Sequence, residues 1–127
     1  VIVVDSSAIM AILLGEARAA ACIAALEAQG DALISAGTLA ELFIISGSRD
    51  IGSDAAALIS RLRIEIVSVS EATARQIGDA YSRWGKGIHP AGLNFGDCFA
   101  YALAKERGCP LLYVGNDFSK TDIKSAL

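Results

Sequence analysis

The chain has 127 residues, enough for one domain with a real hydrophobic core, and at 54% hydrophobic with a mean hydropathy of +0.49 it is apolar for a water-facing protein. Its longest unbroken apolar run, AAACIAAL at 19–26, falls far short of the ~20 residues that a bilayer span needs, which excludes a membrane helix. The net charge of -3 argues at first against a polyanionic ligand, because phosphate backbones favour basic surfaces.

Residues 1–4, VIVV, are a β-branched run that reads as a buried parallel strand, and Asp5 closes it. Residues 7–29 are rich in Ala, Leu and Ile, with Glu16, Arg18 and Glu27 as their charges. They predict one or two helices jointed at Gly15 and ended by Gly30 and Asp31. ALIS at 32–35 is a second buried strand. Helices are expected over 38–46 and 53–62, parted by the polar segment SGSRDIGS, and a hairpin of the two would cover one face of a sheet. IEIVSV at 64–69 reads as a third buried strand. Ser70 then caps a helix that closes at Gly85 and Gly87. IHPAGLN is a loop, and Asn94 opens the helix FGDCFAYALAKER, which stops at Gly108. LLYV at 111–114 is the fourth strand, and Asp122 with Ile123 is assigned to a last short one. Strands alternating with helices, with no repeat or linker, imply one α/β domain over 1–127 with a mainly parallel sheet.

Three cysteines, Cys22, Cys98 and Cys109, follow no metal-ligand spacing and sit in apolar surroundings, as small buried hydrophobes do. With no recognisable leader segment, the expected compartment is a reducing cytoplasm.

Ligands of open parallel sheets collect outside the carboxyl ends of the strands, and four acids fall where such a sheet would gather them: Asp5, Glu41, Asp97 and Asp117. Each has an ordinary role available. Thr38 to Glu41 and Asn94 to Asp97 both fit a capping box, Asp5 suits the cap of the helix that follows it, and Asn116-Asp117 suits a turn. Together they say more, because Asp5, Glu41 and Asp97 are flanked by apolar residues that draw them inward. Carboxylates so clustered repel and raise one another's pKa unless a cation joins them. The all-oxygen donor set selects a hard ion, Mg²⁺ with Mn²⁺ as the variant, and the lack of a Cys/His set excludes zinc. Ser6 and Ser7 are placed to orient Asp5 or simply to start the helix. Asp122 is a candidate outer partner of the same site. With the four acids set aside, ten acids face eleven bases, so the remaining surface is near neutral and the objection to a polyanionic ligand falls away.

The segments VDSSAIMAILLGE, TLAELFI and HPAGLNFGDCFAYALAKERGCPLLYVGNDFSKTDI, in that order, resemble a PIN domain of the VapC toxin type over nearly the whole chain. The resemblance implies a three-layer sandwich with a mainly parallel central sheet flanked by helices. It also implies a Mg²⁺-dependent ribonuclease of a toxin–antitoxin module, with Asp5, Glu41, Asp97 and Asp117 as the metal-site acids. A VapB-like antitoxin and a homodimer come with it. The expected antitoxin groove uses Ile9, Leu13, Leu42 and Phe43, since both helices are apolar around more than one stripe. RNA contacts are expected from Arg83, Lys86, His89 and Lys120, with Trp84 offering a stacking face. Two rival functions stand beside this one. An Asp-dependent phosphohydrolase would need Asp where residue 7 is Ser. A module that holds Mg²⁺ without cleaving anything would share the acids and lack activity.

Overall fold

The computed structural model describes all residues, 1–127. In chain order the elements are β1 (Ile2–Val4), α1 (Ser6–Leu13), α2 (Ala19–Gln29), β2 (Ala32–Ser35), α3 (Ala36–Ser48), α4 (Gly52–Arg61), β3 (Glu65–Val67), α5 (Glu71–Trp84), α6 (Phe95–Arg107) and β4 (Leu111–Leu112). The four strands pair in the order β3-β2-β1-β4, every pair parallel.

Alternation along each strand divides the core in two. Ile2, Val4, Ala32, Ile34 and Leu112 face one side and pack with α1 to α4, while Val3, Leu33 and Leu111 face the other and pack with α5 and α6. Because strand side chains point to opposite faces in turn, a sheet covered by helices on both sides must be apolar at every position, which is why VIVV shows no polar alternation. The result is the expected three-layer α/β sandwich.

Local signals set most boundaries. Gly15, at φ 60°, lies between α1 and α2 where a joint was expected. The Ser70 hydroxyl accepts from the Thr73 N–H at 3.2 Å and starts α5, and Gly108 ends α6 in the left-handed region. Three expectations need correction. The third strand is not buried: Glu65 and Ile66 are exposed, because β3 is a sheet edge pairing with β2 alone. Thr38 is no helix cap. Helix α3 begins two residues earlier, capped by the Ser35 hydroxyl on the Gly37 N–H, so Thr38 lies fully buried inside it. The last strand-like contact falls at Ser125, which bridges Leu111 in parallel, rather than at Asp122 and Ile123.

Candidate functional site

The strand order reverses direction at β1: the chain moves outward through β2 and β3, then returns to place β4 on the other side of β1. Such a switch point opens a crevice at the carboxyl ends of the two strands. Asp5 ends β1 and Asp117 follows β4, so both stand at that crevice, where the Asp5 N–H also donates to the Leu112 carbonyl at 2.9 Å.

Asp5 is 3% exposed and caps α1: its Oδ2 accepts from the Ser7 N–H at 3.1 Å and the Ser7 hydroxyl at 2.6 Å. Ser7 Oγ in turn accepts from the Val114 N–H at 3.0 Å, tying the end of β1 to the segment after β4. The other oxygen of Asp5, Oδ1, is buried and has no hydrogen-bond partner. An acceptor left so costs about 1–3 kcal/mol unless something else satisfies it.

Glu41 comes from the second turn of α3, where the Ser6 hydroxyl donates to its Oε1 at 2.9 Å. Its carboxylate rests over Gly96 at the start of α6. A Cβ at position 96 would lie 1.8 Å from Glu41 Oε2, so any other residue would make the carboxylate leave this pose. Asp97 completes a capping box with Asn94, accepting from the Asn94 N–H at 3.0 Å while Asn94 Oδ1 accepts from the Asp97 N–H at 2.8 Å.

Electrostatics show that these acids share one environment. Burial pushes the Asp97 carboxyl up to about 7; the hydrogen bond from the Asn94 backbone pulls it down, and the charges of Asp5, Asp117 and Glu41 raise it further. Asp5 rises to about 6, chiefly through burial, against the lowering pull of Ser7 and with repulsion from Glu41 added. The carboxylates are nonetheless not drawn into a ready-made cage: no three His, Cys, Asp or Glu side chains close to ligand distance. The unpaired Asp5 Oδ1 and the all-carboxylate donors fit a hard divalent cation.

Other expected positions fare differently. Both oxygens of Asp122 are taken, by the Tyr101 hydroxyl at 2.5 Å and by Lys105 Nζ at 3.1 Å. Arg83, Lys86 and Lys120 are exposed. Trp84 is not available as a stacking face, because its ring belongs to the core formed with Val3, Ile77 and Leu93, and Arg83 lies 4.8 Å over it. His89 meets Trp84 edge-on at 4.7 Å, and its Nδ1 accepts from the Ala91 N–H, so it braces the loop before α6. Ile9 and Leu42 are fully buried in the first core and cannot line an outer groove; Leu13 is partly buried and Phe43 is 42% exposed. Sequence reasoning missed Gly96, whose only signal was its place before Asp97, and the Ser6 bond to Glu41. It also missed the apolar recess of about 280 Å³ where Ile44, Phe95 and Phe99 adjoin Glu41.

The PIN domain family matches residues 2–124, and the chain belongs to that family. Within it the chain is similar to the VapC-type proteins. It is 44% identical over 127 residues to Ribonuclease VapC36 of Mycobacterium tuberculosis, covering 96% of this chain and 91% of that protein. Its fold matches that of Mycobacterium tuberculosis VapC20, described as a sarcin-ricin loop cleaving toxin, with a TM-score of 0.76 at 19% identity over 97% of this chain and 96% of the other. A toxin-antitoxin complex from Klebsiella pneumoniae aligns with a TM-score of 0.70 at 18% identity, covering 96% and 93%.

Proposed function

We propose that this protein is a divalent-metal-dependent endoribonuclease, the toxin of a VapBC-type toxin–antitoxin module, with Asp5, Glu41, Asp97 and Asp117 holding the cation. One observation carries the reading: Asp97 stands in the combined field of Asp5, Asp117 and Glu41, at the switch point of a fold whose relatives are named ribonucleases. A Mg²⁺ or Mn²⁺ ion held by these four acids would supply positive charge at the scissile phosphate and would lower the pKa of water there. The chain's own residues do the positioning. Ser7 holds one oxygen of Asp5 and leaves the other free, Ser6 aims Glu41, and Asn94 fixes Asp97 at the first turn of α6. No side chain is required as a covalent nucleophile. Arg83, Lys86 and Lys120 offer exposed cations for the RNA backbone.

Inhibition by a VapB-like antitoxin and assembly as a homodimer belong to the same reading. With Ile9 and Leu42 buried, the antitoxin is expected beside the acids, where the recess of about 280 Å³ lined by Ile44, Phe95 and Phe99 adjoins Glu41. Three free thiols accord with a reducing cytoplasm, and no helix is long and apolar enough to cross a membrane.

The test is Asp97→Asn assayed on single-stranded RNA with Mg²⁺, alongside a generic phosphatase substrate. The amide keeps an oxygen for the capping box and loses the charge, so the variant folds and cleavage drops by about 100-fold or more. Wild-type cleavage by a variant that binds metal normally would refute the assignment. Addition of the neighbouring antitoxin should silence the wild-type enzyme.

A further inference from the structure

Among the four acids, Asp117 alone has no regular element to hold it, since it lies exposed in the turn after β4. Two anchors flank it. Upstream, the Val114 N–H donates to Ser7 Oγ at 3.0 Å, and that hydroxyl donates to Asp5. Downstream, Tyr101 and Asp122 join the turn to α6. The Tyr101 hydroxyl accepts from the Trp84 indole N–H at 2.8 Å and donates to Asp122 Oδ1 at 2.5 Å, while Lys105 donates to Asp122 Oδ2 at 3.1 Å. Between the anchors, Phe118 is 1% exposed in the second core. The Ser119 and Thr121 N–H groups donate to the carbonyls of Asn116 and Phe118.

The spacing along α6 gives this chain of bonds a consequence for the site. Tyr101 sits one turn beyond Asp97, and Lys105 one turn beyond Tyr101, so the residues that grip Asp122 rise from the same helical row as the acid that feels Asp117. Tyr101 is 5% exposed and Trp84 is 9% exposed, so their polar atoms have little water to turn to. A bond from a hydroxyl to a carboxylate is among the stronger kinds. Consistently, Asp122 is held below its ordinary value, first by Tyr101, and the Tyr101 hydroxyl is pushed up to about 12, first by burial and then by Asp122.

We propose that Tyr101 and Asp122 are positioning residues: they latch the turn that carries Asp117 onto α6, so that Asp117 stands beside Asp97 ready to share a cation. Asp122 then acts through Tyr101 and not as a ligand, since both of its oxygens are engaged. The proposal rests on the reading of Asp117 as a cation ligand, and the experiment keeps the two apart.

Mn²⁺ is titrated by calorimetry into metal-free wild type, Tyr101→Phe, Asp122→Ala, Asp122→Asn and Asp117→Asn, and amide exchange is followed at Ser119 and Thr121. Tyr101→Phe and Asp122→Ala should weaken Mn²⁺ by about 10-fold and speed exchange at both amides by a similar factor. Asp122→Asn retains one acceptor for the Tyr101 hydroxyl but loses the charge and the oxygen that Lys105 grips, so it should weaken Mn²⁺ by less than Asp122→Ala does. Asp117→Asn should weaken Mn²⁺ while leaving exchange slow. If Tyr101→Phe and Asp122→Ala bind Mn²⁺ as wild type does while Asp117→Asn does not, the latch is overturned and the ligand reading survives. If exchange is unchanged in both latch variants, the latch is likewise overturned. Should Asp117→Asn itself bind Mn²⁺ normally, the ligand reading fails and takes the latch with it.

Discussion

At position 97 a single carboxylate caps helix α6 and stands in the field of three other acids. The ordinary reading of that residue is met and leaves room for the proposed one, because the cap bond uses Oδ2 and fixes the side chain at the crevice. Asp5 behaves alike: one oxygen caps α1 and the other is left without a partner. Helix capping here is the means by which the acids are aimed. Glycine 96 shows the same economy of space, since Glu41 fills the volume a Cβ would take. Gly96→Ala should therefore leave the helix intact, alanine being the better helix former by about 1 kcal/mol. It should still cost about 100-fold in cleavage, because Glu41 must move by an ångström or more. Circular dichroism and a cleavage assay on the same sample check this; full activity in Gly96→Ala would show that the Glu41 pose is dispensable.

Helices α3 and α6 bring Glu41 and Asp97 together, and the approach depends on a second glycine. A Cβ on Gly37 would fall 2.1 Å from the Phe99 ring, which packs edge-on to Phe95 with 5.0 Å between ring centroids. Gly37→Ala should destabilise the protein by about 1–3 kcal/mol in urea unfolding, the usual penalty of overpacking. It should also lower metal affinity, because α3 and α6 are forced apart. Unchanged stability would mean that Phe99 swings aside freely. At this scale the sequence was readable where capping chemistry was unambiguous, as at Ser70, Asn94 and Gly108. It misled at Thr38, where a capping-box pattern lay inside a helix already started by Ser35, and at β3, where an apolar run belongs to an exposed edge. Which of several hydroxyls caps a helix depends on where the preceding strand ends, and strand pairing decides that.

For the molecule as a whole, the clustered acids make stability, pH and cation binding one problem. Asp5 and Asp97 hold protons more tightly folded than unfolded, with folded values of about 6 and about 7 against an ordinary 3.8. For metal-free protein their contribution is therefore most favourable at acid pH, and it is lost as pH rises from the unfolded value through the two folded ones. The unfolding midpoint of metal-free protein should fall between about pH 5 and about pH 8, and Asp97→Asn should flatten that fall. On the proposed reading, Mg²⁺ should reverse the picture by joining the deprotonated forms. At a concentration a hundredfold above its Kd at about pH 8 it should add about 2.7 kcal/mol there, and the same concentration should add less at about pH 5, where protons compete for the same oxygens. Scanning calorimetry with and without Mg²⁺ at the two pH values decides it; a Mg²⁺ effect independent of pH would place the cation elsewhere.

The amino-acid sequence by itself determined the layers and the strand direction, because short apolar runs separated by helical stretches require parallel crossovers, and VIVV, without polar alternation, suits a strand covered on both faces. It also marked the four acids: Asp5 follows β1, Asp97 lies in the first turn of α6 and Asp117 comes after β4, while Glu41 lies in the second turn of α3. Only the tertiary structure decided which apolar side chains were core and which were surface: Ile9 and Leu42 vanished inside while Ile44 and Phe95 stayed out. The same is true of the grip of Asp122 on α6 and of the apolar recess beside Glu41. Periodicity reports that a helix has an apolar face; it does not report which neighbour covers that face, because covering is a contact between segments far apart in the chain.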